Sequence, residues 1–382
     1  MSDRRLVRTA AHWGVYDAEV VDGRVVALHP VSADPDPSPI GRSLADVLDH
    51  PVRVREPMVR RGWLDNGPGD AGRRRGGEPF VPVDWETALK LVADELARVR
   101  ATHGDPAVFA GCYGWASAGC FHRAPSQLHR FMALDGGYTA SLNTYSFGAA
   151  EVVMPHVLGD SIWGLYAQST TYDVIAEHCD LMVAFGGIPL KNTQIQGGSA
   201  VNHSDRGWLR TCRDAGVAFV LVSPVAGDLA DFLEAQWLRP RPNTDTALMM
   251  GLAHTLLSEG LHDPVFLDRY CTGFGAFRAY LSDGIAKDAD WAAAIAGVDA
   301  EAIRALARRM AGGRTMINVS WSLQRADHGE QAYWMAVTLA AMLGQIGLPN
   351  NNIAFGYNTI TKISAPVRQL PRPTLPINQN PT

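Results

Sequence analysis

The chain has 382 residues, 47% of them hydrophobic and 19% charged, enough to bury a large core in two or three domains. Its formal net charge of −5 gives no general attraction for nucleic acid or an anionic membrane, and no apolar run approaches the length of a transmembrane helix. Arg4 and Arg5 are not followed by a hydrophobic region, so a secretory or twin-arginine signal is not expected and a cytoplasmic location is the simpler reading. Five cysteines form no C-x-x-C pair, which fits reduced thiols. The first hundred residues hold none of them, which excludes a cysteine-ligated iron–sulfur cluster there.

In chain order, Ala11–Tyr16 and Glu19–Leu28 read as strands, with a turn at Val21-Asp22-Gly23. Pro30, Pro35, Pro37 and Pro39 mark a loop, and the Gly/Arg-rich stretch from Val59 to Pro82, with Arg73-Arg74-Arg75, reads as another. Asp84 is a suitable N-cap for a helix carrying Trp85, Leu89, Val92, Leu96 and Val99 on one stripe and ending at Gly104. A buried strand Ala107–Ala110 follows, then a helix over Ser126–Met132. From Asp180 strands and helices alternate: strands Leu181–Phe185, Val217–Val222 and Thr315–Val319, helices Asp205–Asp214, Thr244–Glu259, Ala300–Met310 and Glu330–Ile346. Near-continuous apolar strands alternating with helices predict an α/β fold with a doubly wound parallel sheet covered on both faces. Five prolines crowd the tail from Pro366.

The common nucleotide and hydrolase fingerprints are absent. The only G-x-G-x-x-G, Gly67 to Gly72, follows no strand and opens no helix, so it reads as loop composition. No G-x-x-x-x-G-K-[ST] or G-x-S-x-G occurs, and His122 and His129, seven apart, lack a third ligand in register. What remains are polar residues just past predicted strand ends, where doubly wound sheets bind ligands. These are Lys191-Asn192-Thr193, Ser223-Pro224, and Trp321-Ser322 with Arg325. Asn243-Thr244-Asp245 caps a helix whose free N–H groups favour an anion such as a diphosphate. Each of these sites also reads as ordinary capping or turn chemistry; four together suggest a large, phosphate-bearing cofactor.

Three stretches go further: Tyr113-Gly114-Trp115-Ala116-Ser117-Ala118-Gly119, Asn143-Thr144-Tyr145-Ser146-Phe147-Gly148-Ala149-Ala150 with Met154-Pro155-His156-Val157, and Trp321-Ser322-Leu323-Gln324-Arg325 with His328-Gly329-Glu330-Gln331. With Arg241 to Asp245 and Gly344 to Pro349, they closely resemble the dimethyl sulfoxide, trimethylamine N-oxide and biotin sulfoxide reductases of the bis-molybdopterin guanine dinucleotide family. The run Asn143 to Gly148 looks most like biotin sulfoxide reductases. The resemblance implies a molybdenum bis(molybdopterin guanine dinucleotide) cofactor without an iron–sulfur cluster, and two-electron reduction of a small S-oxide or N-oxide by an external electron donor.

Carried over by position, the resemblance makes Ser146 the protein ligand to molybdenum, a hard oxygen suited to a high-valent metal. It places Tyr113 and Trp115 at the metal, donating to the oxygen being transferred. It gives Trp115, Ser117, Lys191, Asn192, Ser223, Asn243, Thr244, Asp245, Trp321, Ser322 and Arg325 to the pterin dinucleotides. It further implies a β-rich domain over residues 1–57, the first part of a cofactor-binding domain over 58–167, a dinucleotide-binding-like domain over 168–350, and an extended tail over 351–382 leading to a C-terminal half that this chain lacks. Asn350-Asn351-Asn352 stands where the family is glycine-rich, and Cys120 where relatives tend to carry a basic residue. The rival readings are a non-catalytic fragment that only binds cofactor or a complementary chain, and an ordinary nucleotide-binding domain.

Overall fold

The computed structural model describes residues 3–69, 76–111, 123–195, 201, 203–349 and 353–357. Arg73 to Arg75, Tyr113, Trp115, Ser117, Cys120, His122, Asn350 to Asn352 and the proline-rich tail lie outside the described residues.

The N-terminal region is an antiparallel sheet of β1 (Arg4–Ala11), β2 (Gly14–Val21) and β3 (Arg24–Pro30) in the order β1-β2-β3. The expected turn at Asp22-Gly23 is present, with both residues at positive φ. The expected strands are displaced, however. Ala11–Tyr16 straddles the turn between β1 and β2, and Glu19–Leu28 straddles the turn between β2 and β3. A polar, exposed β1 carries no apolar alternation, so its start is invisible to pattern reading. Tyr16, 1% exposed, anchors this region by donating to the carbonyls of Trp13 or Ser38, each at 3.2 Å. A side chain at Gly41 would meet the Tyr16 ring at 2.6 Å, so the loop after β3 closes only over glycine.

The stretch expected to be a loop from Val59 to Pro82 carries structure at both ends. β4 (Met58–Arg60) pairs antiparallel with β5 (Phe80–Pro82), and a short helix Arg61–Asn66 follows β4. Glu78 fastens them: its carboxylate accepts from Arg60 and from the Gly62 N–H, both at 2.6 Å. The helix Trp85–His103 is capped as expected by Asp84, which accepts from Thr87 N–H at 2.6 Å. Only part of its apolar stripe is covered. Leu96 and Val99 pack on Val108, Ala110 and Met132, whereas Trp85, Leu89 and Val92 stay 57–69% exposed. The expected strand over Ala107–Ala110 shortens to β6 (Phe109–Ala110), which pairs parallel with β7 (Thr139–Ala140) around the helix Ala124–Leu134.

The main sheet is parallel throughout. It contains β8 (Leu181–Phe185), β9 (Ala218–Val222), β10 (Gln236–Leu238), β11 (Thr315–Val319) and β12 (Ile353–Phe355), in the order β10-β9-β8-β11-β12. Side chains alternate between two cores, as the two-residue period of a strand requires. Leu181, Val183, Phe185, Val220, Val222, Ile317 and Val319 face the helices Asp245–Ser258, Ala289–Ala296, Ala300–Ala311 and Glu330–Met342. Met182, Ala184, Phe219, Leu221 and Met316 face the helices Tyr172–His178 and Asp205–Asp214. Burial on both faces is why these strands read as continuous apolar runs. The N-terminal region is tied to this unit by a hydrogen bond between Asp34 and His203 at 2.7 Å and an ion pair of Asp36 with Arg206 at 2.9 Å.

Asn318 is the one amide in β11, and it is fully buried. Its amide donates to Gly187 O at 3.2 Å and its oxygen accepts from Tyr357 N–H at 3.1 Å, joining the ends of β8 and β12 across β11. Asn318→Leu keeps the branched shape but leaves both backbone groups unpaired in the core, which costs about 2–4 kcal/mol. Denaturant unfolding is expected to show that loss; a midpoint equal to wild type contradicts the bridging role.

Candidate functional site

β8 and β11 are neighbours, but the chain leaves them in opposite directions, towards β9 and β10 on one side and β12 on the other. Such a reversal opens a crevice at the carboxyl ends of the strands. Gly186 and Gly187 line it at φ +76° and +82°. A side chain at Gly186 would meet Leu323 at 2.3 Å, and one at Gly187 the carbonyl of Asp228 at 2.3 Å, so the loops close this tightly only on glycine. Opposite them, the turn after β11 is capped by Ser320, whose Oγ accepts from Ser322 N–H and lies 2.9 Å from Ser322 Oγ.

Ser146 enters this crevice from a separate segment. Asn143 adopts φ +66°, a left-handed conformation asparagine tolerates, and its Oδ1 accepts from Thr144 N–H at 2.7 Å. Thr144 Oγ1 accepts from Ser146 N–H at 3.2 Å, and the helix Gly148–Val157 begins two residues later. Gln324 then locks this loop to the end of β11. Its Nε2 donates to Ser146 O at 2.7 Å and to Trp321 O at 3.1 Å, while its Oε1 accepts from Ala149 N–H at 2.9 Å. Arg325 Nε adds a bond to Ser146 O at 3.2 Å. Phe147 packs against Trp321, ring centroids 4.3 Å apart, and against Trp163 at 4.8 Å.

The β8 and β9 loops meet at Asp228. Its carboxylate pairs with Lys191 Nζ at 3.1 Å and accepts from Ser223 Oγ at 2.8 Å, while Ser223 O accepts from Trp237 Nε1. Lys191 and Asn192 lie on the turn Leu190–Gln194 directly after β8. At Asn243-Thr244-Asp245 the outcome differs from a simple anion cradle. Thr244 is the N-cap residue, but its hydroxyl turns back to donate to Arg241 O at 2.7 Å. Asp245 occupies the first helical position with its own negative charge, and desolvation pushes its carboxyl up to about 6. An acceptor at that point repels a diphosphate and suits a donor-bearing group instead.

Three further polar side chains sit at this end of the sheet without a hydrogen-bond partner among the described residues: both carboxylate oxygens of Asp205, Oε1 of Gln194 and Nε1 of Trp321. Asp205 is 1% exposed, and burial pushes its carboxyl up to about 7, offset in part by its own backbone N–H. Its charge in turn contributes, after burial, to raising the Tyr166 and Tyr172 hydroxyls. The Tyr166 ring lies 6.0 Å from that of Trp321, which packs on Phe147 of the Ser146 loop.

Comparison with known proteins bears directly on this crevice. The family model for molybdopterin oxidoreductases matches residues 53–380, and the model for the N-terminal domain of that family matches residues 9–49. The chain belongs to the molybdopterin oxidoreductase family. It is 44% identical over 355 residues to a dimethyl sulfoxide/trimethylamine N-oxide reductase of Cereibacter sphaeroides, covering 92% of this chain and 43% of that protein. It is 44% identical over 344 residues to a biotin sulfoxide reductase of the same organism, covering 89% of this chain and 46% of that one. A trimethylamine-N-oxide reductase of Haemophilus influenzae is 40% identical over 362 residues. Among solved structures, an acetylene hydratase from Pelobacter acetylenicus superposes with a TM-score of 0.55 at 20% identity, covering 88% of this chain and 43% of that one, which supports the fold. The chain thus spans less than half the length of these reductases.

Within this family chain, the geometry brings Ser146, Trp321, Ser322 and Arg325 together at the end of β11, and Lys191, Asn192 and Ser223 at the ends of β8 and β9. Three residues of the site went unremarked in the sequence. Gln324 lies inside a stretch quoted for the resemblance, but its bond to a residue 178 positions away is not legible locally. Asp205 reads only as the start of the helix Asp205–Asp214, and Asp228 is not singled out. Among described residues, no helix is long and apolar enough to cross a membrane.

Asp205 and Asp245 have carboxyls raised above their ordinary value of 3.8, so the folded protein keeps protons that the unfolded chain has released. Their contribution therefore weakens as pH rises from about 4 to about 7, by on the order of 4 kcal/mol for Asp205. Carboxyls held low by partners, such as Glu259 beside Arg308, act in the opposite sense, so the reading is a difference. The melting temperature of Asp205→Asn minus that of wild type is expected to grow across this window. A constant difference contradicts a buried, unpaired carboxylate.

Proposed function

We propose that this chain holds a molybdenum bis(molybdopterin guanine dinucleotide) centre with no iron–sulfur cluster, and that it belongs to an enzyme reducing an S-oxide or N-oxide. The observation that carries this is the Gln324 bridge, which seats Ser146 at the topological switch point of a parallel sheet. The relatives named above, reductases of sulfoxides and of trimethylamine N-oxide, support the substrate class.

The residues present fit such a group. The bound cofactor supplies the two-electron chemistry that removes an oxygen atom from the oxide, drawing on an external electron donor. Ser146 offers a hard oxygen ligand on a loop held by three backbone bonds. Lys191, Asn192 and Ser223 line the approach to β8 and β9, where the exposed Lys191 ammonium and the Asn192 amide suit a diphosphate and Asp228 holds Lys191 and Ser223 in place. The half-buried Asp245, with Asn243 and Thr244 beside it, suits ring N–H donors. Trp321, Ser322 and Arg325 offer an unpaired indole N–H, a hydroxyl and a guanidinium on the other wall. Tyr113, Trp115 and Ser117 enter this proposal through the resemblance alone: Tyr113 and Trp115 as donors to the oxygen being transferred, and Trp115 and Ser117 as cofactor contacts.

A second reading concerns completeness. Trp85, Leu89 and Val92 form an exposed apolar stripe. The stripe favours a chain that binds cofactor and takes a complementary part against the helix Trp85–His103 for turnover.

Metal and nucleotide analysis of the purified chain, expressed in a host that makes the cofactor, tests the main proposal. About one molybdenum and two GMP per chain are expected. Absence of both, with the protein folded, contradicts it.

A further inference from the structure

The contact that holds Lys191 in place also occupies it. The Asp228 carboxylate takes Lys191 Nζ on Oδ1 at 3.1 Å and the Ser223 hydroxyl on Oδ2 at 2.8 Å. A phosphate would draw on the same two side chains, an ammonium and a hydroxyl donor. Because a carboxylate only accepts, the single hydroxyl proton of Ser223 is committed to Asp228, while Ser223 Oγ accepts from the Val225 N–H at 3.2 Å. The two sides of the ion pair differ in freedom. Asp228 ends the turn Ala226–Asp228, its carbonyl accepts from the Ile188 N–H at 2.8 Å, and its own N–H donates to Val225 O at 3.2 Å. A side chain at Gly187 would meet that carbonyl at 2.3 Å and Asp228 Cβ at 2.6 Å, so the turn is seated directly on the loop after β8. The Asp228 side chain is 18% exposed and that of Lys191 68%. Lys191, on a long flexible stem in water, is the partner free to move.

An anion that reaches Lys191 in this arrangement also meets the charge of Asp228, and like charges at such range repel. Resting on the cofactor reading above, we propose that Asp228 is a built-in competitor for the diphosphate. Before the diphosphate binds, Asp228 occupies Lys191; on binding, Lys191 swings from the anchored carboxylate to the phosphate. Asp228 thereby lowers the affinity for every anion, and uptake is left to a ligand with enough further contacts to offset it. A carboxylate that only steadied Lys191 for the ligand would act in the opposite sense and raise the affinity.

The test is calorimetric titration of the full chain with inorganic pyrophosphate at low salt, in wild type, Asp228→Asn, Lys191→Met and the double variant. Asparagine keeps the shape of Asp228 and an oxygen for the Ser223 hydroxyl, and removes the charge. Asp228→Asn is expected to bind pyrophosphate about tenfold or more tightly than wild type. In the Lys191→Met background the gain from Asp228→Asn should be about threefold or more smaller, since no ammonium is left to release. Should Asp228→Asn melt below the assay temperature, Asp228→Ser takes its place with the same expectation. Equal or weaker binding in Asp228→Asn makes Asp228 a holder of Lys191 and overturns the proposal. A gain of the same size without Lys191 also overturns it, because the effect is then general charge and not competition for the ammonium. Absence of pyrophosphate binding in both wild type and Asp228→Asn overturns it too. A wild-type chain that carries molybdenum and GMP yet shows any of these results loses the Asp228 assignment alone; a chain that carries neither loses the cofactor reading as well.

Discussion

One buried amide holds the candidate site in register. Gln324, 4% exposed, spends both ends of its side chain on backbone: the nitrogen on Ser146 O and Trp321 O, the oxygen on Ala149 N–H. Turning the amide over would place donor against donor and acceptor against acceptor, so the group has one orientation. Through it, a loop that leaves an asparagine in left-handed conformation and starts a helix is fixed to a strand of the main sheet. Phe147 and Trp321 close the contact from beneath with apolar surface. The position of Ser146 is therefore set by the sheet as well as by its own loop.

The electrostatics of the crevice follow from the same architecture. Its rim carries an ammonium, hydroxyls and a guanidinium, from Lys191, Ser223, Ser322 and Arg325. The carboxyls of Asp205 and Asp245 and the amide oxygen of Gln194 lie on the turns and helix starts that follow β8 and β10. Asp228 holds Lys191 and Ser223 together. A dinucleotide carrying phosphates and a donor-rich ring has both kinds of group, and this division separates where each can lie. Burial raises the Asp205 and Asp245 carboxyls, with no cation among the causes to hold them low.

Much of the fold was legible in residue order because both faces of the sheet are covered. β8 and β11 fall where continuous apolar runs place them, and the helix Asp205–Asp214 begins and ends at the expected residues. The three-residue strands β10 and β12 were missed, since such short edges carry no periodic signal. The N-terminal strands slipped because β1 is polar and exposed, and the helix Arg61–Asn66 was hidden among glycines and arginines. Ser146 was reachable through the stretch that resembles known reductases. Gln324, Asp228 and Asp205 were not, because what distinguishes them is a partner, or the lack of one, far away in sequence. Asn318 left a weaker trace, a single amide in an apolar strand.

Hydrogen exchange at the Ala149 amide, in wild type and in Gln324→Leu, tests the central claim most directly. Losing the Gln324 bridge should speed exchange at Ala149 and through the start of the helix Gly148–Val157, while β8, in the core of the sheet, keeps its protection. An Ala149 amide equally protected in both proteins would mean that the loop carrying Ser146 holds its place without this bridge.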